Sequence, residues 1–176
     1  MIRMRETELD YEGMYKQLSE EKRGSKEKLN AVILSSTVLE FAVAQLVEIG
    51  AKKLRIPFLE KSMKKAFVPI SKKLKLLRLA NIIDGDLHKN LFILFKVRNR
   101  FAHEIFLTSK DSDPIFALLK NAHITNPFLK SLPNDSIKFQ LITSKCFVEL
   151  LHISKKHDPN SVLELELVGD ITPLEE

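Results

Sequence analysis

The chain has 176 residues, a mass of 20.2 kDa and 44% hydrophobic residues, enough to bury the core of one domain. Its 5 Gly and 7 Pro are too few for a loop-rich all-β or disordered chain, and its single cysteine, Cys146, excludes a disulfide framework and a Cys-based zinc site. Charges interrupt the apolar runs and the N-terminus lacks a signal-peptide core, so we expect a cytoplasmic protein with no membrane span.

The net charge of +5 is distributed unevenly. Residues 31–110 carry 15 basic and 6 acidic side chains, and ten of these basic residues lie between Lys52 and Arg78 with one acid, Glu60. Such a block can attract a polyanion, and it can equally be a set of solvated helix faces. The candidate nucleic-acid-binding residues are Lys64, Lys65, Lys72, Lys73 and Arg100.

The first half of the chain reads as helices separated by turn signals. Residues 1–24 predict an N-terminal helix, and Gly24-Ser25 marks a break before a bundle over 25–157. A long helix is predicted over 27–54, because its apolar residues recur at steps of three and four. Pro57 should close it, and basic amphipathic helices should follow over 59–68 and 71–82.

The second half continues the helical pattern. Asp84-Gly85 is a turn signal, and Asp86 is predicted to open a fourth helix over 86–105. Pro114 should begin a short helix that ends at Ala122, and Pro127 and Pro133 should bracket irregular chain. A fifth long helix is predicted from Ile137 to Lys156, after a start at Asn134-Asp135-Ser136. Residues 162–168 alternate with period two, which favours a strand inside a C-terminal tail over 158–176. The predicted fold is therefore an all-α bundle of about five main helices with a short extended segment.

Two opposite charges fall within the apolar stripes of two predicted helices. At roughly 100° per residue, Arg98 lies in the stripe of the fourth helix and Glu40 lies in that of the 27–54 helix. A charge on a core face is costly unless it is paired, so these helices are predicted to pack together through Glu40 and Arg98. If the pair is fully buried, removing one partner should cost about 3–5 kcal/mol. The pair can also be purely structural.

His103 follows Arg98 by five residues, which is about 140° around an ideal helix, and lies on the face of Asn99. Three arrangements could still bring Arg98 and His103 to one site. The helix could end near Ala102, the long Arg98 side chain could curl over, or a second chain could complete the site. The simpler alternative is an exposed histidine that the helix dipole favours.

The string Arg98-Asn99-Arg100-Phe101-Ala102-His103 resembles the Arg-x4-His signature of HEPN domains. Residues 34–40, which end at Glu40, are similar to the second helix of that superfamily with its inward acid. The segment 73–83 and the helix order resemble the mannitol-repressor-like (MltR-like) branch. The resemblance covers roughly residues 28–157.

This resemblance implies a homodimer that joins through the motif helix. It also implies a metal-independent endoribonuclease or RNA-binding site made of Arg98, Asn99 and His103, with Glu40 as the supporting acid. Imidazole can move the proton of a ribose 2′-OH, and guanidinium can hold the phosphate. The expected products are a 2′,3′-cyclic phosphate and a 5′-OH. The alternative is a non-catalytic mannitol-repressor-like regulator of transcription or stress, which would act through a protein or nucleic-acid partner. No cofactor or metal is expected, because the remaining histidines have no ligand spacing.

Overall fold

The computed structural model describes residues 10–20, 25–55, 68–105 and 113–157. The described residues form an all-α bundle whose helices are α1 (Tyr11–Glu20), α2 (Ser25–Lys53), α3 (Ile70–Leu79), α4 (Gly85–Arg100), α5 (Asp113–Phe116), α6 (Pro127–Ser131) and α7 (Asp135–His157). A π-helical turn, Phe101–Ile105, extends α4, and a 3₁₀ turn, Ala117–Asn121, follows α5. Residues 59–67 of the predicted helix over 59–68 and the predicted strand over 162–168 lie outside the described residues, while Val68 is described and is not helical.

The long helices agree closely with the pattern of the sequence. The predicted helices over 27–54 and from Ile137 to Lys156 are confirmed as α2 and α7. Asn134 caps α7, because its Oδ1 accepts hydrogen bonds from the backbone N–H groups of Ser136 and Ile137. The short helix predicted after Pro114 is present as α5 and the following 3₁₀ turn.

The start of α4 and the end of α3 differ from the prediction, and one helix lies where irregular chain was expected. Asp84 caps α4, not Asp86: its Oδ1 accepts from the N–H of Leu87 at 2.7 Å, and Asp86 lies in the first turn. The helix expected over 71–82 ends at Leu79, because Asn81 takes a left-handed φ of 51° and the N–H of Ile82 donates back to the carbonyl of Leu77.

The third difference is α6, which lies in chain predicted to be irregular. Pro127 is tolerated at the first helical position, where its missing N–H costs nothing. Asn126 caps the helix by accepting from the N–H groups of Phe128 and Leu129. A single turn of this length carries no periodic pattern, so the spacing of apolar residues could not predict it.

The core forms where α2 crosses the rest of the bundle. This helix contacts α3, α4, the π-helical turn and α7, and its Leu39, Val43 and Leu46 are fully buried. Leu91 and Leu94 of α4 are fully buried in the same core. Gly50 lets α3 approach closely, since a Cβ at that position would come within 2.8 Å of a Leu76 methyl carbon.

The far end of α4 is fixed by aromatic rings. Phe101 is fully buried, and its ring centroid lies 4.7 Å from that of Phe116, which in turn lies 6.0 Å from that of Phe139 on α7. Such contacts hold the π-helical turn firmly against the core. A second cluster joins α1 to α6 and α7 around Leu129 and Leu141.

One described segment has the length and hydropathy of a membrane span. It is Asn30–Lys53 within α2, with a mean hydropathy of 1.7, and 39% of it is buried inside the fold. A core helix of a soluble protein has the same composition, so this is weak evidence for a membrane. The expectation of a cytoplasmic protein without a membrane span stays a prediction.

Candidate functional site at the C-terminal half of α4

A cavity of about 490 Å³ opens between α2, the start of α3 and the C-terminal half of α4. Its apolar wall includes Ile70, Leu74 and Phe92. Its polar lining is Glu40 from α2 and Ser71 from α3, with Lys96, Arg98 and Asn99 from α4. The structure therefore brings three of the four residues of the predicted site to one concave surface.

Lys96 and Asn99 share one solvent-facing side of α4 with Phe92. The three residues are spaced by four and three positions, which places them on one helix face. Phe92 is 47% exposed, unlike the buried Phe95 and Phe101. The sequence pattern did not predict a role for Lys96 or the exposure of Phe92, although the helical spacing that locates Arg98 also places these two residues on one face of α4.

Glu40 and Arg98 meet as the two helix patterns predicted. The Nη2 of Arg98 lies 3.8 Å from the Oε2 of Glu40. The pair is not fully buried, since the Arg98 side chain is 33% exposed and the Glu40 side chain is 36% exposed. The distance is also beyond hydrogen-bond length, so this is a loose ion pair at the wall of a cavity.

The remaining donors of Arg98 are only partly used. Its Nη1 donates a hydrogen bond to the Oδ1 of Asn99 at 3.2 Å. Its Nε is out of contact with solvent and has no hydrogen-bond partner within the part of the chain that the structure describes. Guanidinium has five N–H donors in a planar fork, which suits a carboxylate or a phosphate.

His103 lies apart from this cavity. It is exposed on the π-helical turn, and it is not among the described residues that line the cavity with Arg98. Regular α-helix ends at Arg100, two residues before Ala102 and five before the predicted end at Ile105. His103 does not join the cavity lining despite this early end, and a second chain could still unite the site. π-helical turns occur often at functional sites.

The predicted basic residues have different surroundings. Lys72 and Arg100 are exposed, whereas Lys73 is only 4% exposed and offers little surface to a polyanion. Lys64 and Lys65 lie outside the described residues. Lys73 is buried together with its neighbours on α3, which are Leu74, Leu76 and Leu77.

The other reactive groups in the described ranges lack the features of a metal or thiol site. Over those ranges, no three His, Cys, Asp or Glu side chains lie together so that they could hold a metal ion. Burial raises the pKa of the Cys146 thiol, which therefore stays protonated and unreactive. Burial also raises the pKa of the Glu149 carboxyl on α7.

No protein-family model, curated protein or solved structure matches this chain.

Proposed function

We propose that this protein is a regulatory HEPN-type dimer that binds single-stranded RNA at the cavity beside α4. The observation that carries the proposal is the grouping of Phe92, Lys96, Arg98 and Asn99 around one cavity. These are the side-chain types that single-stranded RNA needs, because an aromatic ring stacks on a base while cations follow the phosphates.

Each of these side chains has a stated role in the proposal. Phe92 offers an exposed ring to an unpaired base. Lys96 is an exposed cation beside it, and Arg98 supplies the Nη2 of its guanidinium, which is only loosely paired with Glu40 at 3.8 Å, for a phosphate oxygen. The Asn99 amide can contact the phosphate or a base edge. The likeness of this chain to HEPN domains supports the same assignment through Glu40, Arg98, Asn99 and His103.

Cleavage is the second part of the proposal, and it requires a symmetric dimer. His103 of one chain would take the proton of a ribose 2′-OH, and the freed oxygen would attack the adjacent phosphorus. The bond from phosphorus to the 5′-oxygen would break, and the protonated His103 would return its proton to that oxygen, which leaves a 2′,3′-cyclic phosphate and a 5′-OH. Arg98 of the other chain would stabilise the negative charge on the phosphate.

Fluorescence anisotropy with a labelled single-stranded oligouridylate in EDTA tests the binding. We expect binding that weakens as salt rises, because the contact releases counterions. Lys96→Ala should weaken binding several-fold, whereas Lys155→Ala, which removes an exposed lysine from the end of α7, should have a smaller effect. Equal effects of the two variants would reduce the interaction to net charge and contradict a site at α4.

A second candidate function is the non-catalytic regulator that acts through a protein partner. The observation that favours it is the solvent-facing apolar surface of α2, where Leu34 is 68% exposed and Phe41 is 48% exposed. Exposed apolar patches commonly mark protein contacts. A folded dimer that neither binds nor cleaves a varied set of RNAs would select this function over the first.

A further inference from the structure

We propose that Glu40 competes with phosphate for Arg98 and thereby sets the affinity of the cavity for anions. This inference rests on the proposed RNA-binding function of the same cavity. It reverses the role that the family resemblance suggests for Glu40, which is that of a supporting acid.

The geometry of the pair favours competition over support. A carboxylate that holds an arginine in place normally does so through short, paired hydrogen bonds of about 2.7–2.9 Å. Here the Nη2 of Arg98 lies 3.8 Å from Glu40, and the guanidinium is oriented by the hydrogen bond that its Nη1 donates to the Oδ1 of Asn99 at 3.2 Å. Arg98 would therefore keep its orientation through Asn99 if the charge of Glu40 were removed.

The position of Glu40 makes it a rival for any bound anion. Glu40 and Arg98 line the same cavity and are both about one-third exposed, so a phosphate that binds Arg98 in this cavity lies beside that carboxylate. The carboxylate neutralises part of the guanidinium charge and repels the phosphate. Both effects weaken binding of a single phosphate group.

A polymer can overcome this penalty because it makes several contacts at once. Lys96 and the ring of Phe92 would contribute contacts that Glu40 does not oppose directly. The wild-type site should therefore discriminate against inorganic phosphate and in favour of a single-stranded chain. Glu40 is in this sense a specificity-determining residue.

The experiment compares Glu40→Gln with Glu48→Gln. Both variants remove one negative charge from α2, and Glu48 lies two turns further along the helix, where it pairs with Lys52 at 2.8 Å. We expect Glu40→Gln to tighten binding of the labelled oligouridylate by roughly two- to tenfold, and Glu48→Gln to change it less than twofold. Inorganic phosphate should compete with the oligonucleotide more strongly in Glu40→Gln than in the wild type.

Two results would overturn the inference. Weaker binding in Glu40→Gln would make Glu40 a positioning residue, and equal gains in the two variants would reduce the effect to net charge. The gain should also vanish in an Arg98→Ala background, since Glu40 acts through Arg98. Circular dichroism and the melting temperature of each variant establish that it is folded.

A separate measurement distinguishes failure of the inference from failure of the proposed function. If no variant binds RNA, the proposed function is wrong, and the shift of Tm with added inorganic phosphate still reports on Arg98. A larger phosphate-induced shift in Glu40→Gln than in the wild type and Glu48→Gln supports competition by Glu40. Equal shifts in all three proteins contradict it.

Discussion

Asn90 on α4 holds the backbone of His123 with two hydrogen bonds. Its Nδ2 donates to the carbonyl oxygen of His123 at 2.9 Å, and its Oδ1 accepts from the backbone N–H of His123 at 2.7 Å. Asn90 is only 3% exposed, so its amide replaces a backbone partner for the chain between the 3₁₀ turn and α6. This contact ties that chain to the helix that carries the candidate site.

We expect Asn90→Ala to lower the free energy of unfolding by about 2–4 kcal/mol, because two backbone groups of His123 lose their partner. Urea denaturation measures the loss. Asn121→Ala is the matched control, since Asn121 is exposed and its change should be nearly neutral. A loss no larger than that of the control would show that water replaces the Asn90 amide.

The partial exposure of Glu40 and Arg98 changes what their variants should cost. A fully buried pair would make each single change cost about 3–5 kcal/mol. At one-third exposure and 3.8 Å, we expect a coupling free energy of about 0–1 kcal/mol in a double-mutant cycle of Glu40→Gln and Arg98→Leu. A coupling above about 3 kcal/mol would place the pair in a dry environment instead.

Phe92 and Phe41 offer a matched test of the stacking surface. Both are phenylalanines, with exposures of 47% and 48%, but Phe92 lines the cavity and Phe41 lies on α2 outside its lining. Phe92→Ala should cost about 1–3 kcal/mol of RNA-binding free energy, with little change in Tm. Phe41→Ala should leave RNA binding almost unchanged. Equal losses would remove Phe92 from the binding surface.

The variants Arg98→Ala and His103→Ala should both lose cleavage activity but should differ in stability. His103→Ala should abolish cleavage in EDTA with an almost unchanged Tm, because His103 is exposed. Arg98→Ala should also abolish cleavage and should cost about 1–2 kcal/mol of stability, since part of its side chain is buried. The control is His152→Ala, an exposed histidine on α7 that should keep full activity.

A mixture of the two inactive variants tests whether the site is shared between chains. A heterodimer of His103→Ala and Arg98→Ala chains contains one intact composite site, so mixing should restore part of the cleavage. Light scattering should give twice the 20.2 kDa chain mass. A monomer at micromolar concentration, or a mixture that stays inactive, would contradict the composite site.

The sequence by itself determined the helical class, the extents of α2 and α7, and the meeting of Glu40 with Arg98. Each of these follows from apolar residues that recur at helical spacing, which is a local property of the chain. The caps at Asn134 and the short helix after Pro114 were also readable, because capping depends on a few neighbouring residues.

Tertiary packing decided the properties that depend on distant elements. The exposure of Glu40 and Arg98 could not be predicted from the sequence, because it depends on the cavity that lies between α2, α3 and α4. Nor could the sequence distinguish the exposed Phe92 from the buried Phe95, because the two lie three residues apart on one helix and differ only in what covers them. The separation of His103 from the cavity also depends on tertiary packing. Phe101 packs against Phe116, and α4 continues as a π-helical turn. In such a turn, the spacing of about 100° per residue no longer predicts which way a side chain points.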